Sequence, residues 1–242
     1  MRDNTIKFTN NKTVKMVAHR GVSGLEIENS AAAFIAAGNR TYYGVETDIW
    51  RTADKKYICN HDGRTGRICD IDMVIEENCF DDLRKLTLRD TDGNSDRAEL
   101  MLASLSEYIK ICKKYKKTCV CELKSNFTKE EIEEIIGEFR AADYMEGICF
   151  IAFNIANLDL VKEVDSTLTC QFLTGKWDDS LPMMLKDRKM DLDIHFSQLT
   201  AERIKSCHDA GVLVNCWTVD TVEDAERLAQ YGVDFITSNI LE

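Results

Sequence analysis

Eight short apolar runs, rich in β-branched residues, alternate along the chain with longer segments of helical periodicity. Such alternation is typical of a parallel sheet built from βα units, because parallel neighbours need a long crossover. Eight parallel strands can close on themselves, and a barrel of this kind takes about 250 residues, close to the 242 present. The sequence therefore predicts an α/β fold, a (β/α)₈ TIM barrel. The predicted strands are Lys15–His19, Gly44–Trp50, Thr118–Lys124, Gly147–Phe153, Leu168–Thr174, Met190–Phe196, Val212–Thr218 and Asp234–Ser238.

The segments between these runs carry helix start and stop signals. Thr200 and Thr221 stand where N-caps belong, and Gly211 and Gly232 stand where left-handed C-caps belong. These signals favour helices between the strands. The predicted helices include Asn29–Arg40, Lys129–Ala141, Ala201–Ala210 and Val222–Tyr231.

One connection is longer than the others. Residues 62–104, after the second barrel strand, exceed what a strand-to-helix loop needs. We interpret them as a small insertion on the face where barrel active sites lie, within a single domain spanning 1–242.

Charge and hydropathy exclude two kinds of partner. Lys and Arg number 31 against 42 Asp and Glu, a net charge of −11, and the basic residues cluster only at 113–117. This balance predicts no nucleic-acid partner. No uncharged apolar run approaches the roughly 18 residues of a membrane span, so we expect no transmembrane segment.

Ten cysteines indicate a compartment. They include no C-x-x-C pair and mostly sit inside apolar runs, as buried thiols do. The N-terminal stretch 1–15 is polar and lacks the apolar segment of a secretory signal. We therefore expect a cytoplasmic protein.

Acidic side chains alternate on two predicted strands. Residues at i and i+2 share a face, so Glu46 and Asp48 point into the barrel on one strand, and Glu122 and Lys124 do so on another. Three inward carboxylates repel one another unless a cation lies between them. Oxygen ligands select Mg²⁺ or Ca²⁺, with Mn²⁺ as a further candidate. The alternative is that these residues are merely solvated or paired with cationic side chains.

Two of the four histidines end predicted extended segments near these carboxylates. His19 ends the first strand, and His61, followed by Asp62, ends a short segment after the second. Two imidazoles facing one pocket can supply a general base and a general acid. His19 by itself could also be a hydrogen-bonded core histidine, and Asp62 is better suited to beginning the turn or orienting a neighbour than to chemistry.

Taken in order, these motifs carry a family resemblance. From about Met16 to Asn239 the chain resembles the glycerophosphodiester phosphodiesterases, which implies the same barrel with the same insertion. The motifs are His19-Arg20-Gly21, Glu28-Asn29-Ser30, Glu46-x-Asp48, Thr52-x-Asp54, His61-Asp62, Glu122-x-Lys124 and Trp217-Thr218-Val219.

The resemblance implies metal-dependent hydrolysis of a small glycerophosphodiester to glycerol 3-phosphate and an alcohol. It also implies a role for each site residue. The catalytic pair is His19 and His61, and the metal ligands are Glu46, Asp48 and Glu122. Arg20 and Lys124 hold the phosphodiester oxygens, Asn29 is a polar residue of the pocket, and Trp217 is an aromatic residue of its wall.

The chain departs from the family pattern at two places. Ile27 replaces the proline usual before the Glu-Asn pair, and Ser238-Asn239-Ile240 replaces the usual acidic-basic-proline ending. We expect the second change to affect the substrate's alcohol moiety more than the phosphodiester chemistry.

Two alternatives stay open. One is a lysophospholipase D-like activity on lipid phosphodiesters, which needs an apolar patch at the barrel mouth. The other is a barrel that binds a phosphodiester without cleaving it. The insertion offers apolar residues for such a patch, although the pattern favours a role in the insertion's own core. They are Ile71, Met73, Val74, Ile75 and Phe80.

Overall fold

Eight parallel strands form a closed barrel in the computed structural model, which describes residues 4–9 and 14–242. The N-terminal stretch 1–15, used above to argue for the cytoplasm, therefore lies partly outside the described residues. The strands follow one another around the barrel in chain order, and β1 pairs with both β2 and β9 to close it. The predicted TIM barrel is confirmed. The barrel strands are β1 (Lys15–Ala18), β2 (Gly44–Arg51), β4 (Thr118–Leu123), β5 (Ile148–Ala152), β6 (Thr169–Thr174), β7 (Asp191–His195), β8 (Val214–Trp217) and β9 (Phe235–Ser238).

Helices occupy the connections between the barrel strands. The caps predicted from sequence are present: Thr200 and Thr221 accept backbone N–H groups at two helix starts, and Gly211 and Gly232 end those helices with positive φ. In the described part of the chain, no helix is long and apolar enough to cross a lipid bilayer. The helices are α1 (Ala31–Gly38), α2 (Phe80–Leu83), α3 (Leu105–Tyr115), α4 (Lys129–Ala141), α5 (Ile155–Val164), α6 (Leu181–Arg188), α7 (Ala201–Ala210) and α8 (Val222–Tyr231).

Strand register decides which side chains meet inside the barrel. Asp48 on β2 lies opposite Glu122 on β4, so the carboxylates of two strands come together at their carboxyl ends. Below them a cluster of apolar side chains fills the middle of the barrel, and a cavity lies above this cluster at the carboxyl end. The interior cluster is Val17, Val120, Cys149, Ile151 and Leu173, with Trp217 packed against it.

The segment between β2 and α3 is built around its own core. It begins with β3 (Tyr57–Cys59), which pairs antiparallel with β2, and includes α2. Of the apolar residues considered for a lipid-binding patch at the barrel mouth, Ile75 is fully buried and Met73 and Phe80 pack against the segment's core, whereas Ile71 is 60% exposed. The core residues are Ile58, Ile68, Cys69, Ile75, Leu83, Leu86, Leu88, Leu100 and Leu102.

Candidate active site

A cavity of about 160 Å³ lies at the carboxyl end of the barrel. One side of it is charged and is supplied by the ends of β1, β2 and β4 together with the loop after β3. The opposite side comes from β5 to β8 and is mostly apolar. We call them the charged wall (His19, Arg20, Glu46, His61 and Glu122) and the apolar wall (Ile151, Phe153, Leu173, Trp217 and the single carboxyl residue Asp193).

Three buried carboxylates lie together at the base of the charged wall. One oxygen each from Glu46, Asp48 and Glu122 lies within 4.8 Å of the others. Burial and the neighbouring Asp48 raise the pKa of Glu46 well above its usual range, and the same two causes raise the pKa of Glu122 to about 7. Burial also acts on Asp48, but nearby Lys124 and Arg20 outweigh it and lower that pKa. The trio has only oxygen donors and an excess of negative charge, which fits a hard divalent cation.

Two cationic side chains reach this trio. Lys124 Nζ lies 2.9 Å from Glu122 Oε1 and 3.4 Å from Asp48 Oδ1. Arg20 Nε lies 3.5 Å from Asp48 Oδ2, and the Arg20 backbone N–H donates to Glu46 Oε2 at 2.7 Å. Since Arg20 also lines the cavity, its guanidinium is available both to the carboxylates and to an anionic ligand.

A tight turn after β1 brings Arg20 to this place. Arg20 and Gly21 both have positive φ, 53° and 77°. A Cβ added at Gly21 would meet the backbone carbon of Ala33 at 2.7 Å, so this position requires glycine. The His-Arg-Gly sequence therefore fixes where the first strand delivers its two functional side chains.

Asn29 supports a carboxylate from behind. It is 1% exposed, and its Nδ2 donates to Asp48 Oδ2 at 2.9 Å while its Oδ1 accepts from the Thr47 hydroxyl at 2.7 Å. The resemblance implies a polar pocket residue here. In the structure its polar contacts are with β2, and it orients Asp48.

His19 is held in one tautomer. Its Nδ1 lies 2.7 Å from Asn239 Oδ1, and Asn239 Nδ2 donates to Asp220 Oδ2 at 2.6 Å, which turns the amide oxygen toward the imidazole. Nδ1 must therefore carry the hydrogen, leaving Nε2 unprotonated, 4.0 Å from Glu46 Oε2. Burial, and then Arg20, lower the pKa of His19, so the neutral ring is favoured.

His61 is oriented by a carboxylate. Its Nδ1 lies 2.8 Å from Asp62 Oδ1, in agreement with the orienting role expected for Asp62. Asp62 in turn accepts from Arg67 Nε, and Arg67 donates through both terminal nitrogens to Glu28. Glu28 also pairs with Arg20 at 3.0 Å. A continuous chain of ion pairs thus links the loop carrying His61 to the loop carrying His19.

Aromatic rings define the rim of the apolar wall. The Trp217 ring meets Phe153 edge-on at 5.7 Å and His195 edge-on at 5.3 Å. Phe153 is half exposed. Trp217 Nε1 is buried and has no hydrogen-bond partner among the described residues.

Sequence reasoning missed two residues of this site. Asp193 lines the cavity and is 1% exposed, between the buried outward-facing Leu192 and Ile194 of β7. The alternation that selects the β2 carboxylates could have found it. Asn239 lies in the loop that departs from the family pattern, a change that we expected to affect the alcohol moiety more than the phosphodiester chemistry, yet its side chain contacts the His19 ring. No local signal marks a contact across 220 residues of sequence.

Comparison with known proteins places this geometry in context. Residues 19–241 match the model of the glycerophosphoryl diester phosphodiesterase family. A glycerophosphodiester phosphodiesterase from Caldanaerobacter subterraneus is 26% identical over 231 residues, 93% of each chain. Among solved structures, a glycerophosphodiester phosphodiesterase from Parabacteroides distasonis is 28% identical with a TM-score of 0.77, covering 94% of this chain and 93% of its own. A phosphodiesterase from Oleispira antarctica, solved with the product sn-glycerol-3-phosphate, has a TM-score of 0.85 at 23% identity, covering 93% and 92%.

Proposed function

The chain belongs to the glycerophosphoryl diester phosphodiesterase family, and from this premise we propose that it hydrolyses glycerophosphodiesters to glycerol 3-phosphate and an alcohol with a divalent cation and two histidines. The observation that carries the proposal is the charged wall, where the carboxylate trio, two cations and two oriented imidazoles meet at one cavity.

The carboxylate trio is the proposed cation site, for Mg²⁺ or Ca²⁺, with Mn²⁺ as a further candidate. Asp48 Oδ1 is buried without a hydrogen-bond partner among the described residues, and Glu46 and Glu122 are protonated more readily than ordinary carboxyls. These are the properties of ligands that lack their cation. When bound, the cation supplies Lewis-acid stabilisation of the charge that develops on the phosphoryl oxygens.

Arg20 and Lys124 hold the substrate's phosphodiester group in this proposal. A phosphodiester is a monoanion that repels nucleophiles, so cationic donors aimed at its non-bridging oxygens favour attack on phosphorus. Arg20 lines the cavity, and Lys124 is only slightly exposed, at 15% of its side chain. Both already lie beside the carboxylates that fix their positions.

The two histidines divide the proton transfers. His19 is neutral with an accepting Nε2, so it takes a proton from the attacking water as the new phosphorus–oxygen bond forms. The Nδ1 of His61 is paired with Asp62, which orients the ring, so its Nε2 gives a proton to the leaving alkoxide as the old bond breaks. If the adjacent hydroxyl of the glycerol moiety attacks first instead, the same two roles yield a cyclic phosphate that water then opens.

Free thiols support the cytoplasmic location that we propose. All ten cysteines are unpaired and nine of them are buried, which suits a reducing compartment.

Product release tests the function directly. We expect glycerol 3-phosphate from a panel of glycerophosphodiesters when Mg²⁺, Ca²⁺ or Mn²⁺ is present, and none in excess chelator. Full activity in chelator would overturn the cation site. Cleavage of a lysophospholipid with no cleavage of glycerophosphodiesters would replace the proposed substrate class, and tight binding without any product would indicate a non-catalytic barrel.

A further inference from the structure

Asp193 stands apart from the other carboxyl groups of the cavity. It lies on β7, in the apolar wall, and is 1% exposed. Whereas the trio lies beside Arg20 and Lys124, no ion pair joins Asp193 to any cationic side chain in the described part of the chain. Its Oδ1 is buried and has no hydrogen-bond partner among the described residues. A buried polar atom without a partner is costly, and at a ligand cavity the partner is commonly the ligand.

The surroundings of Asp193 restrict what that ligand group can be. Its neighbours in the cavity wall include the apolar side chains of Ile151 and Leu173 and the Trp217 ring. The nearby Thr237 hydroxyl already donates to Asn215 Oδ1 at 3.2 Å. Trp217 Nε1 is the second unpartnered polar atom of this wall. An unused carboxyl oxygen and an unused N–H, set among apolar groups, fit a small alcohol that carries hydroxyls on a hydrocarbon frame.

We propose that Asp193 is a specificity-determining residue that hydrogen-bonds a hydroxyl of the substrate's glycerol moiety. The inference rests on the proposed function, which places the phosphodiester at the charged wall and leaves the facing apolar wall to hold an alcohol moiety. Burial raises the pKa of Asp193 well above its usual range, with Glu122 adding to the effect. A neutral carboxyl can both donate to and accept from a hydroxyl.

The Asp193 carboxyl also disfavours the binding of ligands that lack a hydroxyl at this position. An alkyl group in place of the glycerol would leave Asp193 Oδ1 buried without a partner, and sites built around such a hydrogen bond discriminate strongly against analogues that lack the hydroxyl. A hydroxyl donates or accepts, but a methylene does neither. Asp193 therefore selects a polyol over a hydrocarbon at the apolar wall.

Binding of the product separates this role from catalysis. We would measure the affinities of sn-glycerol 3-phosphate and of hydroxyl-free n-propyl phosphate by calorimetry with Mg²⁺. We expect the wild-type protein to prefer the glycerol compound by about 10- to 100-fold, the range expected for a hydrogen bond to a buried carboxyl. Asp193→Leu should reduce that preference to within about twofold by weakening glycerol 3-phosphate alone, and Asp193→Asn, which keeps a donor and an acceptor, should retain part of it.

A matched control exists on the neighbouring strand. Gln171 is also buried inside the barrel and contacts Asn215 at 3.2 Å, yet it does not line the cavity, so Gln171→Leu should leave the preference unchanged. The assignment would be overturned if Asp193→Leu weakened the binding of both ligands equally. It would also be overturned if both Asp193 variants kept the wild-type ratio of the two affinities. Ethanolamine phosphate would be measured as a third ligand. If Asp193→Leu weakened the binding of ethanolamine phosphate alone, the assignment would also be overturned, because Asp193 would then recognise a cationic alcohol. Because these measurements need no turnover, failure of the proposed hydrolysis would appear separately, in the wild-type product assay.

Discussion

The two walls of the cavity treat polar groups in opposite ways. At and behind the charged wall the ionic groups pair with one another. Lys124 lies within 3.4 Å of two carboxylates, including Asp48 Oδ1, which accepts no hydrogen bond among the described residues, and Arg67 bonds to both Asp62 and Glu28. On the apolar wall, one carboxyl oxygen of Asp193 and the Trp217 N–H have no partner among the described residues. A group with fixed protein partners is oriented before the substrate arrives, whereas an unpartnered group gains its partner only from the ligand. We infer that the first wall performs chemistry common to all phosphodiesters and the second selects the glycerol moiety.

The largest expected effect is the loss of catalysis when either histidine of the charged wall is removed. His19→Ala and His61→Ala should each lower kcat on glycerophosphodiesters by about 10³-fold, because general acid–base catalysis contributes on this scale. The folded state should persist, as judged by circular dichroism. His208→Ala is the control, because His208 pairs with Asp234 and does not line the cavity.

A good leaving group distinguishes the two histidines. The p-nitrophenolate of a p-nitrophenyl phosphodiester needs no proton to depart, so the loss in His61→Ala should shrink on such a substrate, whereas the loss in His19→Ala should remain. The opposite pattern would exchange the roles of base and acid. If each variant lost the same factor in kcat on both substrates, the assignment of one histidine as base and the other as acid would be wrong.

The fold and the charged wall were largely predictable from sequence because both depend on local patterns. Alternation on β2 and β4 places Glu46, Asp48 and Glu122 inward, and the barrel then brings strand ends together. The contact between Asn239 and His19 spans 220 residues and depends on how the last loop folds over the first. Asp193 follows the same alternation, but no neighbouring motif distinguishes it from an ordinary strand residue.

A smaller effect concerns proton binding by the carboxylate trio. In chelator, the pKa of Glu122 is raised from 4.5 to about 7. The folded state therefore holds this proton more tightly than the unfolded state, and the resulting stability is full below pH 4.5 and is lost as pH rises through 7. Between pH 5 and 8 the metal-free wild type should lose up to about 3 kcal/mol of unfolding free energy relative to Glu122→Gln.

Metal addition provides the control for this measurement. Mg²⁺ should abolish the difference between wild type and Glu122→Gln in pH dependence, because the cation replaces the proton. Glu138 on α4 is matched: burial raises its pKa to about 7 as well, but it lies outside the trio. Glu138→Gln should therefore remove a similar pH dependence that Mg²⁺ does not alter. If Mg²⁺ changed the pH dependence of the unfolding free energy equally at both positions, the titration of Glu122 would not report on the cation site.

The smallest expected effect tests whether the ion pairs behind the histidines position them. Arg67→Ala releases Asp62 and Glu28 together, and since Arg67 is 44% exposed we expect only about a tenfold fall in kcat. The fall should be equal for phosphodiesters with and without a glycerol moiety, because Arg67 acts through His61 and Arg20 on the phosphodiester side. Arg64→Ala is the control within the same segment, since Arg64 pairs with the exposed Asp72 at 2.8 Å. If Arg67→Ala changed the preference for glycerophosphodiesters over phosphodiesters without glycerol, instead of lowering all rates alike, the two walls would not be separable and selection of the glycerol moiety would extend into the charged wall.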